Sequence, residues 1–170
     1  MKGRPEPNEA AAYYFTYIEQ TQGDDALRLM EGQLEAHLPM LAAITEEKSL
    51  HRYAPGKWSL RQVVNHLADT ERAFVFRALW FARGFDAPLP SYDPDVSAAG
   101  ADADGVPFAA HVEELQRVRL ATISLFRNLK EEAWMRMGVA SGNVFSVRAL
   151  GFIIPGHVEH HLRIVRERYL

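Results

Sequence analysis

Three histidines carry the clearest chemical signal in this 170-residue chain. His157 and His161 stand four residues apart, and residues i and i+4 of a helix project from one face a turn apart. The segment His157-Val158-Glu159-His160-His161 therefore presents two imidazoles together. His66, near the start of another helical pattern, supplies a third from a distant part of the sequence. Three imidazoles suit Zn²⁺ or Ni²⁺ and tolerate Fe²⁺ or Mn²⁺, and affinity order alone does not name the ion. Three protein ligands leave coordination positions open for water or substrate, the pattern of a catalytic site rather than a structural brace. Spacing alone also fits a plainer alternative, two packed and hydrogen-bonded histidines on one helix.

Other polar groups compete for a role. Asp69 follows His66 at i+3 and shares its side of the helix, so it could orient a ligating ring by accepting its second N–H, or act as a base on bound water. A solvated carboxylate is its plain alternative. Glu71 lies elsewhere on the wheel, beside Arg72, and is given no chemistry. Glu159 points away from the His157–His161 face, toward the surface, and His160 is turned about 100° from His161. His37, His51 and His111 have no spacing that ties them to the three. Trp58, Trp80 and Trp134 are expected in the core, Tyr92 could touch a ligand from a loop, and Arg163, Arg166 and Arg168 complement a helix C-terminus.

The elements that must position these groups read as helices. Asp24 precedes Leu27, Met30, Leu34, Leu38, Leu41 and Ile44, which recur at three and four. Ser59 and Gln62 form a capping box for a helix to about Arg83, with Val63, Leu67, Thr70, Phe74, Ala78 and Phe81 as its apolar stripe. His66 sits about 60° from the centre of that stripe, within reach of the interior. Gly84 ends this helix, and Pro88, Pro90 and Pro94 predict an irregular stretch over 84–106, long enough to cover the mouth of a site. A third helix begins near Pro107. A turn at Ser141-Gly142-Asn143 leads to the fourth, from Ser146 to the chain end, in which Pro155 predicts a kink beside His157. Residues 1–23, with Tyr13, Tyr14, Phe15 and Tyr17, read as an arm packed on a single domain of residues 24–170.

Bulk properties narrow the classes. A 48% hydrophobic composition fills one core, and a net charge of -3 with scattered Lys and Arg lacks the basic footprint of a nucleic-acid binder. With no cysteine, thiolate ligands and a cysteine nucleophile are excluded, and thiol chemistry would need a small-molecule thiol. No apolar run reaches roughly 18 residues and no signal pattern opens the chain, so no membrane partner and a cytoplasmic location are expected.

Two segments resemble the histidine motifs of the DinB-like (YfiT-like) superfamily. They are Trp58-Ser59-Leu60-Arg61-Gln62-Val63-Val64-Asn65-His66-Leu67-Ala68-Asp69-Thr70-Glu71-Arg72 and Gly156-His157-Val158-Glu159-His160-His161-Leu162-Arg163. Arg77-Ala78-Leu79, Pro88-Leu89-Pro90 and Val147-Arg148-Ala149-Leu150 extend the likeness over most of the chain from about residue 24. The resemblance implies an all-α four-helix bundle, a divalent-metal site from His66, His157 and His161, frequent homodimers, and chemistries spanning hydrolysis and thiol transfer on small-molecule substrates. A non-catalytic metal-binding or structural dimerising bundle is the alternative.

Overall fold

The computed structural model describes residues 3–170. In chain order the elements are α1 (Ala12–Ile18), α2 (Ala26–Ala42), α3 (Glu46–Ser49), α4 (Leu60–Ala82), α5 (Pro94–Gly100), a 3₁₀ turn (Ala103–Gly105), α6 (Phe108–Arg127), α7 (Glu131–Trp134), β1 (Met137–Ala140), β2 (Asn143–Ser146) and α8 (Val147–Arg168). The fold is a four-helix bundle of α2, α4, α6 and α8 with one small hairpin, and no helix among the described residues is long and apolar enough to cross a membrane.

The long helices start where side chains satisfy free backbone N–H groups. Asp25, one residue later than the expected Asp24, accepts from Leu27 N and Arg28 N. Ser59 and Gln62 complete the capping box of α4, and Ser146 accepts from Ala149 N. α6 has no side-chain cap of its own, and the Glu46 carboxylate from α3 accepts from Phe108 N instead, at 3.0 Å. α8 runs through Pro155 without a break.

Two expectations need correction. The stretch 84–106 is not wholly irregular, because Pro94 occupies the first turn of α5, where its missing N–H costs nothing, and Asp93 caps that turn. The turn at Ser141-Gly142 belongs to the β1–β2 hairpin, and φ of +53° and +71° at its two residues marks the mirror-image turn that suits a right-handed hairpin twist.

Each bundle helix divides its buried apolar residues between two clusters. One gathers Met30, Phe74, Phe81, Ile123, Phe126 and Leu150, the other Leu41, Val63, Leu67, Leu115, Val158 and Leu162. Followed along the chain, α2 and α8 run from the first cluster to the second and α4 and α6 the opposite way, so α4 and α6 lie parallel. α4 packs on both α6 and α8, and α2 packs on the same two from the opposite corner. Two parallel helices cannot be joined by a tight turn: the chain must return along their length, roughly 30 Å for a helix of this size. Residues 83–107 make that return, which explains the length of the connection.

Between the clusters a polar layer crosses the bundle. Arg119 donates to both Glu71 oxygens (2.8–3.1 Å) and to Gln33 Oε1 (2.8 Å), and Gln33 Nε2 donates to the Pro155 carbonyl at 2.8 Å. One residue from each bundle helix thus joins a single network. Residues 3–23 are fastened on the outside: Arg4 donates to the Ile18, Thr21 and Gly23 carbonyls, and the buried Glu9 carboxylate accepts from Ser146 and Arg148. α1 lies against α8 so closely that a Cβ on Gly156 would stand 2.1 Å from the Tyr17 carbonyl oxygen. Glycine at 156 is what lets the two backbones touch.

Candidate metal centre

His66 leaves the second turn of α4 and His157 and His161 leave successive turns of α8, all toward one point beside the polar layer. One donor atom from each lies within 4.8 Å of the others. The Nε2 atoms of His66 and His157 are 3.2 Å apart, and the ring centroids of the three pairs are separated by 4.5–5.0 Å. Two ligands at about 2.1 Å on a tetrahedral ion stand roughly 3.4 Å apart, so the His66–His157 spacing matches a shared cation. Nδ1 of His66 is 3.1 Å from Thr70 Oγ1. If that hydroxyl accepts the ring proton, the Nε2 lone pair is left facing the other two rings. The donor set of three imidazoles and no carboxylate fits a borderline divalent ion.

Burial keeps these rings neutral. Desolvation pushes the His66 pKa down to about 4 and that of His161 down to about 3, the latter helped by the neighbouring His66 and His160. His157 is held well below the ordinary histidine range by burial first, then by its three histidine neighbours and Arg119. Neutral imidazole is the form that ligates metal, so protons and a cation compete for the same lone pairs.

The three rings open onto a cavity of about 310 Å³ lined by Tyr13, Tyr14, Tyr17, Trp58, His66, Thr70, Ala73, Phe74, Arg77, Tyr92, Pro94, Ser141, His157 and His161. α4 supplies residues 66, 70, 73, 74 and 77, one stripe of its surface. The return connection crosses the cavity and contributes Tyr92 and Pro94, and α1 closes the side with its tyrosines. Tyr17 meets the His157 ring edge-on at 5.3 Å.

Asp69 sits apart from this centre. Its carboxylate pairs with Arg72 at 3.1 Å on the side facing α6, and the neighbour of the His66 ring is Thr70. Glu71, given no chemistry from the sequence, is 2% exposed and bound to Arg119. Glu159 is partly buried, bridging His37 and Arg166 rather than standing free. His160 packs against Tyr17 and the His161 ring, and His111 Nε2 meets the Ala103 carbonyl at 2.9 Å. His51 lies beside Tyr169, away from the cavity. Trp134 is buried as expected, but Trp58 lines the cavity, 4.8 Å from the His66 ring, and Trp80 stacks on Phe85 near the surface. Sequence reading missed Tyr13, Tyr14, Tyr17, Arg77 and Ser141 as cavity residues. Only Arg77 had a local signal: eleven residues after His66 it returns to within about 20° of the same helix face.

Several known proteins are similar to this chain. A protein of Oceanobacillus iheyensis named "Putative metal-dependent hydrolase" is 26% identical over 126 residues, 73% of this chain and 72% of that protein. A protein of Geobacillus thermodenitrificans with the same descriptive name is 23% identical over 123 residues, 71% of this chain and 69% of its own length. The solved structure of YfiT from Bacillus subtilis, described as "a probable metal-dependent hydrolase with an unusual four-helix bundle topology", superposes with a TM-score of 0.72 at 19% identity, covering 98% of this chain and 91% of that one. The family model of the DinB superfamily matches residues 26–165, from the start of α2 to the last turns of α8, and the chain belongs to that superfamily.

Proposed function

We propose that this protein is a metal-dependent enzyme in which His66, His157 and His161 hold one divalent ion, Zn²⁺ or Ni²⁺ before Fe²⁺ or Mn²⁺, at the floor of the cavity. The observation that carries this reading is the convergence of three neutral imidazoles, without a carboxylate, on a cavity large enough for a small molecule. When bound, such an ion supplies Lewis acidity to a water, a thiol or a carbonyl oxygen. The chain's own residues do the rest. Thr70 fixes the orientation of the His66 ring, Tyr17 and Trp58 wall the rings from bulk water, and Gln33 holds the Pro155 carbonyl two residues before His157. The reaction is hydrolysis or transfer to a small-molecule thiol, since the chain has no cysteine to act as nucleophile. The relatives' hydrolase names favour the first.

Elemental analysis of tag-free protein tests the ion directly. About one equivalent of divalent metal is expected in the wild type and none in His161→Ala. Ester, amide and thiol-transfer substrates offered to the loaded protein then separate an enzyme from a non-catalytic metal-binding bundle. A metal-free wild type after dialysis against Zn²⁺ and Ni²⁺ would end the proposal. Homodimerisation belongs to the same reading, with exposed Phe76, Phe85 and Leu120 as available apolar surface, and light scattering checks it.

A further inference from the structure

Arg77 is the odd arginine of this fold. It is 5% exposed, and the other equally buried arginines each meet a carboxylate: Arg61 meets Glu46 and Arg119 meets Glu71. No carboxylate among the described residues pairs with Arg77. Its guanidinium donates a single hydrogen bond, from Nη2 to Ser141 Oγ at 2.9 Å, and rests 5.7 Å and 5.9 Å from the ring centres of Phe74 and Phe145. A buried cation with one neutral partner is expensive to maintain unless an anion completes it.

The cavity supplies the place for that anion. Arg77 lines it, and no acidic residue does. The Tyr92 hydroxyl, also on the wall, is buried with no hydrogen-bond partner. Ser141 is held at φ +53°, a conformation serine rarely adopts, where an Asn or Gly would be the ordinary hairpin residue. Three donors without an acceptor of matching charge therefore line the same cavity as the histidines, with Arg77 and Ser141 in direct contact.

We propose that Arg77, Ser141 and Tyr92 bind the carboxylate of a small-molecule ligand, whose apolar body lies along α4 over Phe74 and whose other end faces the three histidines. A single guanidinium with two neutral hydroxyls neutralises a monoanion and would leave a phosphate dianion in charge excess among aromatic walls. The role of the histidine end rests on the metal-centre reading above; the anion end does not.

The experiment addresses the two ends separately. Binding of phenylacetate, phenylacetamide and phenyl phosphate to metal-free protein is followed by tryptophan fluorescence, to which Trp58 on the cavity wall contributes. Metal retention is followed by Co²⁺ absorption. Wild type is expected to bind the acid in preference to the amide and the phosphate. Arg77→Met should weaken the acid by about thirtyfold or more while keeping Co²⁺, and His161→Ala should lose Co²⁺ while keeping the acid. Equal affinity for acid and amide, tighter binding of the phosphate, or unchanged acid affinity in Arg77→Met overturns the proposal. Wild type that binds the acid but no Co²⁺ overturns the metal centre alone. Should Arg77→Met lose its helical circular dichroism, Tyr92→Phe takes its place, with a severalfold weakening expected and unchanged affinity overturning the assignment.

Discussion

The polar layer across this bundle has two halves that meet the same solvation problem differently. In the inner half, Glu71 and Arg119 are buried to 2% and 3% exposure and saturate each other through a bidentate pair, with Gln33 taking a further guanidinium N–H. In the outer half, His66 and His157 are buried almost as deeply, at 6% and 4%, yet their Nε2 atoms face each other across 3.2 Å. The inner half pairs its charges within itself, although the Arg119 guanidinium also helps to hold the His157 ring neutral. The outer half ends in lone pairs directed at a cavity. The same depth of burial thus yields a brace where opposite charges meet and a ligand site where like donors meet.

Breaking the closed half should have the largest effect. Arg119→Met strands the Glu71 carboxylate and should destabilise the fold by about 3–5 kcal/mol in urea titration, with Glu71→Met in the same chain restoring much of it. A loss below about 1 kcal/mol would mean that the pair braces nothing.

Acid should act next, and on the open half. His66 and His161 have folded pKa values lowered to about 4 and about 3 from an ordinary 6.5. Below pH 6.5 the unfolded chain takes up protons that the folded chain refuses, so stability is full above that pH and falls as the pH drops toward 4. For His66 alone the loss is about 3 kcal/mol. Denaturation of metal-free protein at several pH values measures it, and His161→Ala should show a shallower slope.

Adding metal sharpens the contrast. At a free ion concentration about a hundredfold above Kd, the wild type should gain about 2.7 kcal/mol and His161→Ala nothing. The same ion should leave the penalty of Arg119→Met unchanged if the two halves act independently. Smallest should be Gly156→Ala, in which the new methyl must push α1 off α8; a cost of about 1–3 kcal/mol is expected, with a weakened Tyr17 contact at His157 visible in the ring's NMR shifts.

Some of this was legible in the residues. The capping box at Ser59 and Gln62, the apolar stripes and the i,i+4 histidines are local patterns, and a helix converts them into faces whatever it packs against. Asp69 shows the limit: it and Thr70 both neighbour His66 on a helical wheel, and in the folded chain Asp69 pairs with Arg72, which also reaches Glu114 of α6, while Thr70 stands at the ring. Glu71 carried no sign of its bracing role in the sequence because its partner Arg119 lies 48 residues away. Pro94 read as an interruption because a proline at a helix start and one in a loop carry the same local signature.

From its residue order alone the chain determined four amphipathic helices, the capping box that starts α4 and the shared face of His157 and His161, since each depends on neighbours within one or two turns. Tertiary structure decided that α4 and α6 run parallel, that the return connection consequently carries Tyr92 over the cavity, and that α1 and the hairpin bring Tyr17 and Ser141 to its walls. Periodicity says which face of a helix is buried; which other faces it meets is settled by packing among segments that the sequence leaves far apart.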